Sequence, residues 1–273
     1  MSQANEKTDT DAPQDELAGT EQPFVAHLME LRNRLVKSVL TIIAAAVVLG
    51  FYPGAGALYD WLAQPLVAHL PQGATMIATS VISPFMVPLK ILLMTAFLAA
   101  LPVVLYQAWA FVAPGLYAHE KRLVLPLVIS STALFVAGVA FCYYVVFGTV
   151  FATIQKLAPA SITAAPDIEA YLGFVLTMFM AFGLTFEVPV AVVVLVRAGV
   201  VSVAQIASFR RYFIVMSFII AAIATPPDVV SQLALAIPMC LLYELGLWVA
   251  GLVAPKEESA SEGSANVPAH PSE

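Results

Sequence analysis

Charged side chains are scarce in this sequence, and so are the residues that build disulfides and metal sites. Only 11% of the residues are charged, whereas 60% are hydrophobic. The carboxylates concentrate near both ends of the chain, so the net charge of −6 does not describe its middle. No basic cluster typical of nucleic-acid binding is present. The two cysteines, Cys142 and Cys240, lie in apolar runs, which predicts buried free thiols.

Enzyme signatures are missing as well. The sequence has no P-loop, no paired His/Glu metal motif and no Gly-x-Ser-x-Gly elbow. His27, His69 and His119 are scattered along the chain. We therefore expect a protein that is not an enzyme and that has neither a cofactor nor a metal site.

Long apolar runs are what the sequence has in abundance. The hydrocarbon core of a bilayer, about 30 Å thick, is crossed by about 20 residues of α-helix. Lipid allows only helices or closed barrels, and these runs are too continuously apolar for barrel strands. The sequence therefore predicts an all-α integral membrane protein with six transmembrane helices. The predicted spans are residues 36–52, 88–112, 123–147, 171–196, 212–225 and 229–250.

One membrane domain, residues 21–253, is expected between two polar, acidic and disordered tails, residues 1–20 and 254–273. An amphipathic helix capped by Thr20 is expected to lie on the membrane surface before the chain turns into the first span. The first span and its cationic flank also resemble a secretory signal peptide, but the amphipathic lead-in favours an uncleaved segment. The proline-rich residues 53–85 are expected to form a structured cap.

Span lengths and prolines predict the shape of the bundle. The fourteen residues of the predicted fifth span make roughly 21 Å of helix, so the last two spans are expected to be short and the bilayer to be thinned around them. Prolines interrupt four of the predicted spans, which predicts a kinked, concave bundle. They are Pro102, Pro126, Pro189 and Pro238.

The distribution of Lys and Arg predicts the orientation. With the N-terminus inside, the outer segments carry only Lys156, and Lys90 lies at a span edge. The inner segments carry Lys7, Arg32, Arg34, Lys37, Lys121, Arg122, Arg197, Arg210, Arg211 and Lys256. This asymmetry places both termini in the cytoplasm, together with Glu30 and Glu120.

Polar residues inside the apolar runs are candidates for function. Glu187 lies in the middle of the fourth predicted span, where a carboxyl costs several kcal/mol unless it is neutral or partnered. It is interpreted as a proton relay or a contact to a partner helix, and an internal hydrogen bond is the structural alternative. Asp228 is expected to cap a helix, and Gln232 must find a hydrogen-bond partner. Glu30 and Arg34 are four residues apart, so a simple ion pair between them is also expected.

Several stretches occur in an order that carries a family resemblance. They are His27-Leu-Met-Glu-Leu-Arg-Asn-Arg-Leu35, Ser83-Pro-Phe85, Gln107-Ala-Trp-Ala-Phe-Val-Ala-Pro-Gly-Leu-Tyr-Ala-His-Glu-Lys-Arg122, Phe182-Gly-Leu-Thr-Phe-Glu-Val-Pro189, Arg211-Tyr212, Thr225-Pro-Pro-Asp-Val-Val-Ser-Gln232 and Ala236-Ile-Pro238. Together they cover about residues 24–250. In this order they resemble the TatC family, the multispan receptor subunits of the twin-arginine protein translocase.

The resemblance implies a function and its partners. Folded proteins with Arg-Arg signal peptides would be recognised at the cytoplasmic face of a bacterial inner membrane and exported with the proton-motive force. TatB-like and TatA-like single-span subunits, and further copies of the chain, would be partners. Signal recognition is expected at Glu30 and Glu120, with Arg32 and Phe111 nearby. Contacts to partner helices or to the signal are expected at Glu187, Thr225 and Gln232.

A proton-coupled secondary transporter of a small solute, with Glu187 as the proton site, is the alternative function. Such a site clusters polar groups near the membrane midplane. Only Glu187 is expected there, so the translocase interpretation is preferred.

Overall fold

The structure is a computed structural model that describes residues 18–67, 76–116, 124–157, 165–225 and 228–253. Nearly all of these residues are helical. The α-helices in the described ranges are α1 (Ala18–Phe51), α2 (Ala55–Val67), α3 (Ser83–Leu116), α4 (Val124–Phe141), α5 (Phe147–Leu157), α6 (Ile168–Phe186), α7 (Val188–Arg197), α8 (Val203–Ala224) and α9 (Val229–Val253). A π-helical turn, Cys142–Val146, joins α4 to α5.

Six helical segments are long and apolar enough to cross a membrane. They are Val25–Phe51, Ser83–Phe111, Val124–Thr153, Ile168–Arg197, Val203–Ala224 and Val229–Val253. The predicted all-α class with six spans is therefore confirmed. Residues 1–17 and 254–273, which hold most of the predicted tails, lie outside the described residues.

The first helix runs without a break from Ala18 to Phe51. The predicted turn between a surface helix and the first span is therefore wrong, and Thr20 lies inside the helix instead of capping it. The physical reason is that no glycine or proline occurs between Pro23 and Gly50, so nothing in the sequence stops the helix. α1 packs along α3.

The fifth span is longer than its apolar run. The Ser202 hydroxyl accepts a hydrogen bond from the Gln205 backbone N–H at 3.2 Å, and the Gln205 side chain accepts one from the Ser202 N–H at 2.8 Å. This capping box starts α8 at Val203. The 22 residues of α8 measure about 33 Å, so the helix extends beyond the 14 residues predicted for the fifth span. The last two candidate spans are still the shortest, with 22 and 25 residues against 27 to 30.

The fourth span is divided at Glu187, which ends α6 and precedes α7. Pro189 lies in the first turn of α7, so the interruption predicted at this proline is present. Pro102 and Pro238 instead lie inside α3 and α9, and Pro126 lies in the first turn of α4, where proline is tolerated.

Two buried clusters form the core. The larger cluster joins the cap helix α2 and helices α3 to α6 with the adjoining ends of α8 and α9. The smaller cluster joins α7, α8 and α9 through six buried residues, Val192, Val196, Ile206, Tyr243, Leu247 and Ala250. Cys142 is buried in the larger cluster and Cys240 is partly buried, and both are free thiols.

A cap covers the end of the bundle at which α6 begins. Ile77 and Asp167 form an isolated parallel bridge, with the Ile168 N–H donating to the Ile77 carbonyl at 2.9 Å. The Asp167 carboxylate accepts a hydrogen bond from the Thr79 hydroxyl at 2.7 Å. It also caps α6 by accepting hydrogen bonds from the backbone N–H groups of Glu169 and Ala170, both at 2.9 Å. The Thr79 hydroxyl, followed by these backbone donors, lowers the pKa of Asp167 to about 2. The described part of the predicted cap is thus structured.

A second polar contact fixes the same end of the bundle. Lys90 of α3 pairs with Glu169 of α6 at 3.0 Å, and the Ser83 hydroxyl donates to the other carboxylate oxygen at 2.7 Å. The start of α3 is therefore tied to the start of α6.

Candidate functional site

Helices α1 and α3 bring a set of polar and aromatic side chains together at the end of the bundle opposite the cap. We call His27, Glu30 and Arg34 of α1, with Gln107 and Phe111 of α3, the Glu30 surface. Residues three or four apart share one side of a helix, which explains why these five face each other across the α1–α3 contact. The ring of His27 stacks on Phe111, with centroids 4.3 Å apart and an interplanar angle of 20°.

Glu30 is held by an arginine of its own helix. The Nε and Nη2 atoms of Arg34 donate to Oε1 of Glu30 at 2.9 and 2.6 Å. The Nη1 atom of Arg34 also reaches Oε1 of Gln107 in α3 at 3.4 Å. The ion pair expected from the spacing is therefore formed. No hydrogen bond to Oε2 of Glu30 comes from the described residues, so this oxygen is open to an outside donor.

The other residues predicted for signal recognition have different positions. Arg32 is exposed on α1 and, being two residues from Glu30, points about 200° away around the helix. Glu120 lies outside the described residues, in the segment 117–123 that follows α3. The structure thus places Glu30 and Phe111 on the same α1–α3 contact, linked through His27 and Arg34. The two-carboxylate arrangement stays a prediction.

A buried polar site lies inside the bundle at the break between α6 and α7. Both carboxylate oxygens of Glu187 are buried, and neither has a hydrogen-bond partner among the described residues. The Ser131 hydroxyl of α4 lies beside this carboxyl without hydrogen-bond geometry. Ser131 is fully buried and accepts the indole N–H of Trp109 at 2.9 Å. The site therefore joins α3, α4 and the divided fourth span.

Ser131 and Trp109 were not singled out as functional residues from the sequence. The signal that points to Ser131 is the polar run Ser130-Ser131-Thr132 inside an otherwise apolar span. Ser130 and Thr132 donate to carbonyls of their own helix, whereas Ser131 faces the bundle interior. Trp109 lies two residues from Phe111, so α3 contributes to both the Glu30 surface and the buried site.

Thr225 and Gln232 lie at the junction of α8 and α9. Thr225 is buried, and its hydroxyl donates to the Ala221 carbonyl at 2.8 Å. Gln232 donates through Nε2 to the Phe218 carbonyl of α8 at 3.3 Å, which is the kind of partner that its position requires. Asp228 accepts the Ser231 N–H at 2.7 Å, which confirms the expected helix cap.

A cavity of about 420 Å³ opens between α7, α8 and α9. Its lining is almost wholly apolar and includes Val188, Leu195, Phe209 and Phe213. The hydroxyl of Tyr243, one of the lining residues, already donates to the Ile206 carbonyl at 2.6 Å. The cavity offers no cluster of polar groups for a small solute, and the described residues contain no group of three or more metal-ligating side chains.

Comparison with known proteins matches this architecture to one family. The family model described as Sec-independent protein translocase protein (TatC) matches residues 26–238. The Sec-independent protein translocase protein TatC of Halothiobacillus neapolitanus is 54% identical over 83% of the chain, which spans 61% of that longer relative. The protein of the same name from Haemophilus influenzae is 48% identical over 88% of the chain and 93% of the relative.

Solved structures agree with the sequence comparison. A crystal structure described as the twin-arginine translocase receptor TatC superposes with a TM-score of 0.72 at 38% identity, over 83% of this chain and 98% of the other. A second one, in the detergent DDM, gives a TM-score of 0.73 over 82% and 99%. The chain therefore belongs to the TatC family of Sec-independent protein translocase proteins.

Proposed function

We propose that this chain is the signal-peptide receptor and core subunit of a twin-arginine translocase. In this function it binds Arg-Arg signal peptides of folded proteins and supports their export by the proton-motive force. The observation that carries the proposal is the Glu30 surface, where the carboxylate of Glu30 is paired with Arg34 and the neighbouring His27 stacks on the Phe111 ring of α3, at one end of the bundle. A translocase component moves proteins and is not an enzyme.

The chemistry of the Glu30 surface suits a guanidinium group. Arginine is planar and permanently charged, and it binds carboxylates through two parallel hydrogen bonds. Arg34 already contacts Glu30 at Oε1 only, which leaves Oε2 for an incoming arginine. We infer that Glu120 is the second carboxylate and that the Phe111 ring packs against the signal peptide. Arg32, on another side of α1, would contact a different part of the signal peptide.

The proposal includes the orientation of the chain and the membrane in which it lies. The excess of Lys and Arg on the segments that include Glu30 favours cytoplasmic termini in a bacterial inner membrane. The Glu30 surface then faces the cytoplasm, where cargo is folded, and the cap faces the opposite side.

Partners are proposed from the buried polar residues. A buried carboxyl with no hydrogen-bond partner among the described residues, as at Glu187, favours contact with a polar group from another helix. We infer that Glu187, Thr225 and Gln232 contact the single helices of TatB-like and TatA-like subunits or the signal, and that several copies of the chain assemble together. The secondary-transporter alternative is not favoured, because the cavity beside α7 is lined almost wholly by apolar side chains and offers no cluster of polar groups for a small solute.

The receptor proposal is tested by binding in lipid nanodiscs. A fluorescent Arg-Arg signal peptide is titrated against the wild-type chain and the Glu30→Gln variant. The matched control is Glu244→Gln, because Glu244 is also a partly exposed carboxylate paired with an arginine, Arg210. We expect Glu30→Gln to weaken binding at least tenfold and Glu244→Gln to leave it unchanged.

Cross-linking supplies the second arm of this test. A photoreactive probe at position 30 or 120 is expected to label the Arg-Arg peptide and to label a Lys-Lys peptide much more weakly. Equal labelling of both peptides contradicts the receptor role of these glutamates.

A further inference from the structure

The cap helix α2 contains a proline at an interior position. In a regular helix the N–H of residue 65 donates to the carbonyl of residue 61. Pro65 has no N–H, so the Trp61 carbonyl lacks its regular donor. A backbone carbonyl without a donor is costly to bury, and membrane proteins satisfy such groups with nearby side chains.

A tyrosine of the third span supplies the missing donor. The Tyr143 hydroxyl donates to the Trp61 carbonyl at 2.9 Å. The Tyr143 ring also stacks on the Trp61 indole, with centroids 4.9 Å apart and an interplanar angle of 13°. Tyr143 is therefore joined to one residue of α2 through both its ring and its hydroxyl.

The π-helical turn explains how Tyr143 reaches α2. Tyr143 lies within the turn Cys142–Val146, where Cys142, Tyr143 and Val146 are buried while Tyr144 is 73% exposed. Turns of this kind occur inside α-helices and are frequent at functional sites. Here the turn contains the side chain that contacts the cap.

A second tyrosine holds the next residue of α2 from another span. The Tyr171 hydroxyl of α6 donates to the Leu62 carbonyl at 3.2 Å. The regular donor to that carbonyl is the N–H of residue 66, which is present in the sequence. By the regular helix pattern, Tyr171 therefore adds a second donor to a carbonyl whose own helix can supply one, whereas Tyr143 replaces a donor that the sequence lacks.

We propose that Tyr143 is a positioning residue for the cap and that it acts as a matched pair with Pro65. The proline leaves the Trp61 carbonyl open, and the π-helical turn presents the phenol that fills it. Together with Tyr171, this contact fixes α2 against the third and fourth spans at once. The inference goes beyond signal recognition, since it concerns the end of the bundle opposite the Glu30 surface.

The test is a double-mutant cycle on the full chain in nanodiscs. Amide hydrogen exchange of residues 58–64 is measured for Tyr143→Phe, Tyr171→Phe, Pro65→Ala and the two doubles with Pro65→Ala. Removing the Tyr143 hydroxyl is expected to accelerate exchange about three- to tenfold in the proline background, in line with the net worth of one hydrogen bond. In the Pro65→Ala background the restored N–H serves the Trp61 carbonyl, so the same substitution is expected to change exchange less than about twofold.

Tyr171→Phe is the matched control within the same helix. Its effect on exchange is expected to be equal in both backgrounds, because its acceptor does not depend on residue 65. An equal effect of Tyr143→Phe in both backgrounds, or no effect in either, overturns the pairing with Pro65. Binding of the Arg-Arg peptide is measured on the same samples. If the wild-type chain does not bind the peptide, the receptor function is contradicted, whereas the hydrogen-exchange result still tests the pairing of Tyr143 with Pro65.

Discussion

The indole N–H of Trp109 donates to the Ser131 hydroxyl at 2.9 Å, and Ser131 in turn lies beside the buried carboxyl of Glu187. Three spans thus contribute one polar group each to an otherwise apolar interior. Since α3 also carries Phe111, the same helix links the interior site to the surface proposed to bind signal peptides.

Substitution of Glu187 separates a partner contact from a proton relay. We expect Glu187→Gln to retain most export activity, because an amide keeps a polar contact at this depth without a charge. Glu187→Ala is expected to lose more activity, since it removes the polar group. Export of an Arg-Arg cargo into inverted membrane vesicles measures both, and complete loss with Glu187→Gln would indicate an obligatory proton step instead.

The signal's arginines are expected to be distinguished from lysines by Glu30. A Lys-Lys peptide should bind roughly tenfold or more weakly than Arg-Arg, because an ammonium cannot form the two parallel bonds that a guanidinium forms. In Glu30→Gln the two peptides should bind with more similar affinity. Fluorescence anisotropy at one fixed salt concentration measures this, and an unchanged ratio in the variant would argue against Glu30 as the discriminating group.

Gly183 is expected to be intolerant of a side chain. A Cβ at this position would overlap the ring of Phe135, a buried residue of α4. We expect Gly183→Ala to destabilise the chain by about 1–3 kcal/mol, the usual cost of overpacking. Gly173→Ala in the same helix is the control, because a Cβ there meets nothing within 4 Å. Thermal unfolding in detergent compares the two, and equal melting temperatures would contradict the close approach of α6 to α4.

The cap is expected to lose a stabilising contribution in acid. The pKa of Asp167 is lowered to about 2 by the Thr79 hydroxyl and the first N–H groups of α6, against an ordinary value of about 4. A lowered pKa in the folded chain stabilises it above the ordinary value, and this contribution disappears as the pH falls from about 4 through about 2. We therefore expect the melting temperatures of wild type and Asp167→Asn to converge over that interval. A constant difference between them would contradict the contribution of the ionised carboxylate.

Much of the fold follows from the sequence because apolar length is a strong signal in lipid. The length of the apolar runs was enough to predict the six spans, and capping chemistry was enough to predict the role of Asp228. Helix ends were harder to predict: α8 begins at Val203, after the capping box of Ser202, although the predicted span began only after Arg210 and Arg211. The prediction of a turn within α1 was wrong for the opposite reason. No glycine or proline stops that helix between the predicted surface segment and the first span.

The site was only partly predictable from the sequence. Glu187 stands out as a carboxylate within an apolar run, and the role of Glu30 follows from the family resemblance. The partners of a side chain, however, depend on how helices pack. The stacking of His27 on Phe111 and the contact of Tyr143 with Trp61 each join residues far apart in sequence. The residues of the π-helical turn, Cys-Tyr-Tyr-Val-Val, do not differ in composition from an ordinary apolar helix, so the sequence does not predict the turn.

The division of the fourth span at Glu187 separates two sets of packing contacts. α6 packs mainly against α4 within the larger buried cluster, whereas α7 packs mainly against α9 within the smaller one. Glu187 is the single residue between them, and Gly246 of α9 lies close against the neighbouring Pro189. The break at Glu187 therefore lies where the main packing partner of the fourth span changes from α4 to α9. A partner helix that binds Glu187, as proposed above, would contact the fourth span at this change of packing.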